Sequence, residues 1–76
     1  MWVRTQNKKE VVEIGRLKIS KNIGGIKKFT LLGFTKTGFF GSDQIVLGFY
    51  IDEQSALKEL DDITSNFNPN TIYHVK

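Results

Sequence analysis

The stretch IVLGFYIDEQSALKELDDI, residues 45–63, decides the fold, because its apolar period changes from two residues to three and four partway along. Ile45, Leu47, Phe49 and Ile51 alternate with Val46, Gly48 and Tyr50, which reads as a strand apolar on both faces. From Glu53 onward Ala56, Leu57, Leu60, Ile63, Thr64 and Phe67 recur at helical spacing, while Glu53, Lys58, Glu59, Asp61, Asp62 and Asn66 fall outside that stripe. Asp52 stands at the junction, where a short carboxylate can accept the free N–H groups of the first helical turn. Downstream, NPN at 68–70 ends the helix, because the residue before Pro69 is pushed out of helical geometry, and TIYHV then reads as a last strand.

Upstream of this stretch the chain is strand-rich. MWVRTQ alternates as a first strand and NKKE follows as a polar turn. In VVEIGRLKIS the apolar residues change parity, from Val12 and Ile14 to Leu17 and Ile19, which predicts a bulge near Gly15 that keeps both pairs inward. KNIGG is a hairpin turn, its adjacent glycines suited to positive φ, and it leads into a third strand over 27–36. The order β-β-β-β-α-β over residues 1–76 predicts one small α+β domain: an antiparallel sheet of four to five strands with one amphipathic helix packed on one face. One helix covers one face, so Leu32, Phe34, Val46 and Tyr50, or their opposites, are left on the other. That patch predicts a homo-oligomer.

The net charge of +3 hides a division. Residues 1–36 hold nine Lys/Arg against two Glu, and residues 37–76 hold two Lys against six Asp/Glu. Such polarity attracts an anion to one end or pairs the basic end of one subunit with the acidic end of another. With no cysteine, disulfides and thiolate metal sites are excluded, in keeping with a reducing cytoplasm. The sequence shows neither a signal-peptide h-region nor an apolar run long enough for a membrane span, so no membrane partner is expected.

Catalytic chemistry finds little to use. His74 is the only histidine, Asp61 and Asp62 point in different directions on a helix, and GGIKK lacks the spacing of a phosphate loop. Neither a cofactor nor an enzyme is predicted, and no metal site. Binding chemistry fares better: on a first strand Trp2, Arg4 and Gln6 share one face, setting a π surface, a guanidinium and an amide in a row. A ring stacks a base, a guanidinium grips phosphate and an amide reads a base edge. The same residues equally suit packing, with Trp2 on the core or a neighbouring subunit and Arg4 laid over it. Arg16, Phe40 in the glycine-flanked FF loop, and Tyr73 complete the candidate ligand residues, with one of Phe39 and Phe40 expected in the core.

MWVRTQ, the basic turn, VVEI and the run VLGFYIDEQSALKELDDI together resemble a group of short phage and prophage proteins of Gram-positive bacteria that begin Met-Trp-Val/Ile-Arg-Ser/Thr-Gln. The residues that carry the resemblance are Trp2, Arg4, Gln6, Leu47, Gly48, Tyr50, Ala56 and Leu60. The group has no established activity to transfer, so the resemblance implies a phage-type origin and, with it, the cytoplasm of an infected host. By analogy with small phage proteins that occupy host molecules, the expected ligand is an anionic cyclic nucleotide immune signal held between subunits. The rival expectations are a host defence protein as target, nucleic acid bound through the basic half, and a structural component of the phage particle.

Overall fold

A computed structural model describes residues 1–35 and 44–76. Strands β1 (Trp2–Arg4), β2 (Val11–Lys21), β3 (Phe29–Thr35) and β4 (Gln44–Tyr50) precede helix α1 (Glu53–Ser65) and strand β5 (Ile72–His74). They form an α+β domain with one five-stranded sheet, ordered β4-β3-β2-β1-β5, and the helix packs against β2, β3 and β4. The expected FF loop lies outside the described residues.

The sheet is mixed where the sequence predicts it antiparallel. Neighbours from β1 to β4 run antiparallel, but β5 lies parallel to β1, in register Val3 to Tyr73. The reason is the connection: β4 reaches β5 through a helix that carries the chain from one sheet edge to the other, so no tight turn imposes a reversal. The helix begins as its sequence implies. Asp52 is extended and its carboxylate accepts the Ser55 N–H at 2.7 Å. Hydrogen bonds from Ser55, side chain first and backbone second, hold that carboxyl below its ordinary range.

Two bulges set which side chains face the helix. The first falls between Ile14 and Arg16, where the sequence parity change places it, and returns Leu17 and Ile19 to the inner face. The second is in β4: Leu31 pairs with Gly48 and Leu32 with Val46, so Leu47 is the extra residue. Strict alternation puts Phe49 and Ile51 with Leu47 and sends Tyr50 the other way. The bulge reverses this, turning Tyr50 inward and Phe49 and Ile51 outward. The core is then Val3, Ile14, Leu31, Leu47, Tyr50, Ala56, Ile63 and Val75. Of the predicted helix stripe, Ala56 and Ile63 are buried and Leu60 partly so, whereas Leu57, Thr64 and Phe67 are exposed.

Candidate functional site

The face of the sheet away from α1 follows from register. Across its β2–β4 half run the rows Arg16–Phe34–Gln44, Lys18–Leu32–Val46 and Ser20–Thr30–Phe49. Across the other half run Ile72–Trp2–Glu13 and His74–Arg4–Val11. Of the two sets the sequence leaves open, Leu32, Phe34 and Val46 are the one on the face away from the helix, with Phe49 in place of Tyr50; Leu32 is nevertheless buried there. The alternation itself carries no sign of that exchange; Gly48 alone marks the place, since it has no Cβ to oppose the close approach of the Tyr50 hydroxyl and the Gln6 carboxamide.

The Arg16 guanidinium carbon lies 5.2 Å from the centre of the Phe34 ring, within reach of the ring's negative face. Trp2 is 45% exposed although its neighbour Val3 is fully buried, so the strand is pinned by Val3 and the indole is left on the surface. Trp2 and Arg16 thus share the open face with Lys18, Phe34 and Phe49.

Arg4, Gln6 and Tyr73 meet different fates. Arg4 points to the open face, but its Nε and Nη2 both donate to the Lys8 carbonyl, at 3.1 and 3.0 Å. This braces a turn in which Lys8 takes φ 67°. Thr5, buried beneath it, accepts the Glu10 N–H through its hydroxyl and donates to Asn7 Oδ1. Gln6 Nε2 donates to the carbonyls of Phe49 and Lys76, both at 3.3 Å, and Oε1 accepts the Phe49 N–H at 2.9 Å. Its carboxamide pairs with β4 as a peptide group of another strand would, and the Gln6 N–H adds a bond to the Leu47 carbonyl at 2.7 Å. Gln6 therefore caps an edge strand and draws the sheet toward closure.

Tyr73 faces inward and donates to Glu59 Oε1 at 3.1 Å, while Glu59 Oε2 accepts the Lys76 N–H. Sequence spacing puts Glu59 on the solvated side of the helix; in the fold it is 4% exposed, because β5 and the residues after it cross that side. The Tyr50 hydroxyl donates to the Lys76 carbonyl at 2.9 Å, completing the seam. Burial, then the charge of Glu59 and its hydrogen bond, pushes the Tyr73 hydroxyl up to about 12; burial likewise raises Tyr50. Phe40 lies outside the described residues.

Among the described residues no group of three or more His, Cys, Asp or Glu side chains is placed to hold a metal ion, and no helix is long and apolar enough to cross a membrane. What the fold defines is an α+β domain whose sheet presents one aromatic and basic face that carries no helix among the described residues. The chain matches no known family model, no curated protein and no solved structure.

Proposed function

We propose that this domain is a non-enzymatic binding module that holds an anionic nucleotide against the helix-free sheet face. The observation that carries the reading is the composition of this face: Trp2 is exposed on the side of the sheet that also bears Arg16, Lys18 and the Phe34 ring, with Ile72 and Glu13 as its direct cross-strand neighbours. Rings supply stacking surface and cations supply phosphate contacts, the pairing a nucleotide needs. The open sheet does not enclose a ligand by itself, so the site is completed by a second subunit. The resemblance to short phage proteins adds the biological setting: sequestration of a cyclic nucleotide signal of host defence.

Native mass spectrometry with a panel of cyclic di- and trinucleotides tests this. The expected result is an assembly that gains a defined ligand mass, lost in Trp2→Ala and weakened about tenfold or more in Arg16→Ala. An assembly that gains no mass from the panel, or variants that bind as the native chain does, overturns it. The apolar residues Val46 and Phe49, both exposed, and the partly exposed Phe34 favour one other reading, a module that blocks a host protein. Phe34→Asp then abolishes activity while Trp2→Ala spares it.

A further inference from the structure

The β2–β3 hairpin ends in a feature that folding does not use. Asn22 locks its base: its N–H donates to the Lys28 carbonyl at 2.6 Å and its side chain accepts the Thr30 hydroxyl at 2.8 Å. Beyond that base Gly24 and Gly25 turn with φ 84° and 81°, and the flanking Ile23 and Ile26 are 104% and 86% exposed. Lys21, Lys27 and Lys28 surround them, and among the described residues none of these lysines is in an ion pair. Two branched apolar side chains on a basic tip serve no core of their own chain.

The complementary surface is on the same molecule. Where the end of α1 meets the bulge of β2, a groove of about 430 Å³ is lined by Met1, Ile14, Leu17 and Leu60, with Asp61 and Thr64 on its helix side. Arg16 also borders it, but its guanidinium is laid over Phe34. A cavity of about 150 Å³ admits benzene, so this one has room for two isoleucine side chains. Beyond the groove, part of the helix stripe is left uncovered by the sheet. Leu57 lies one turn before Asp61 and two before Thr64 on that side, and Leu57 and Phe67 are both exposed. The occupant is apolar and carries positive charge to meet Asp61, which forms no ion pair among the described residues.

We propose that the occupant is a second copy of this chain: Ile23 and Ile26 of one subunit seat in the groove between α1 and β2 of another, with Lys27 and Lys28 beside its Asp61. The contact joins unlike surfaces, so copies either exchange hairpins in pairs or pass them round a ring. It joins the basic half of one subunit to the acidic half of the next. The proposal is independent of what the sheet face binds.

The test is sedimentation equilibrium on the native chain, on Ile23→Ser/Ile26→Ser, on Thr64→Arg, and on an equimolar mixture of the two variants. Both altered sites are exposed, and circular dichroism checks that each variant is folded. The expected result is an assembly for the native chain, monomers for each variant alone, and a one-to-one dimer for the mixture, since each variant keeps the half of the contact that the other lacks. Each lost isoleucine weakens association about tenfold or more. A monomeric native chain at tens of micromolar overturns the proposal, as do variants that assemble like it, or a mixture that stays monomeric up to about a millimolar, where the single contact it retains must show without the avidity of an exchanged pair.

Discussion

The seam that draws the sheet toward closure and the tip of the β2–β3 hairpin handle their awkward groups in opposite ways. At the seam a carboxylate, a carboxamide and two phenols are brought together, and each has a partner: Glu59 with Tyr73 and Lys76, Gln6 with Phe49 and Lys76, Tyr50 with Lys76. Among the described residues no buried side-chain polar atom is without a hydrogen bond. At the tip, two isoleucines stand in water above a well-bonded base. Satisfied polar groups that span distant parts of the chain are what a fold requires of itself. Exposed apolar groups on a turn are what it offers to something else. Substitutions at the two places should therefore change different measurements, stability at the seam and association at the tip.

The largest effect belongs to Glu59. Glu59→Ala removes the acceptor for the Tyr73 hydroxyl and the Lys76 N–H together, and should lower unfolding free energy by about 2–3 kcal/mol in urea titration. A loss below about 0.5 kcal/mol would make the seam ornamental and the comparison false. Glu59→Gln keeps an acceptor but removes the charge, which sharpens the test at alkaline pH. A phenol whose value is raised from 10.0 to about 12 in the fold adds stability that is complete below pH 10 and lost as pH climbs through about 12. Without the Glu59 charge the folded value drops, so the native chain should lose more stability across that window than Glu59→Gln does.

Next comes Gln6. Gln6→Ala leaves the N–H and carbonyl of Phe49 to water, and should cost about 1–2 kcal/mol. Its distinctive mark is local: amide exchange at Phe49 should quicken more than at Leu31 in the sheet interior. Uniform quickening across the sheet would mean that Gln6 supports the fold generally and does not cap β4.

The distance between what the residues announce and what they do is greatest at the seam. The strand-to-helix switch, the Asp52 cap, the bulge at Gly15 and the glycine turn are all legible, because each depends on residues within one turn or one strand pair. The second bulge is not. Gly48 marks the place, but the Gln6 carboxamide that lies against it comes from the far end of the chain, and Leu47 is the extra residue only in that assembled register. Glu59 and Gln6 are misread for the same reason, since both are polar residues in polar surroundings until the last residues of the chain cross over them. Of the ligand row Trp2, Arg4 and Gln6, the alternation is right about direction for Trp2 and Arg4. It is silent about the Lys8 carbonyl that holds the Arg4 guanidinium, because that contact needs the left-handed turn at Lys8 to form first.

The smallest expected change is the most informative about the tip. Ile23 and Ile26 touch no core, so replacing both by serine removes no packing within the chain, and the unfolding free energy of the monomer should stay within about 0.5 kcal/mol of the native value. The measurement must be made on dilute protein, because an assembly that dissociates on unfolding gains apparent stability with concentration. In concentrated samples the native chain should be the more stable of the two, and the difference should close on dilution. If it persists at the lowest concentration, the isoleucines stabilise their own chain, and the tip belongs with the seam. If it closes, stability and association separate along the chain as the two regions imply, and the hairpin's apolar surface has its use between molecules.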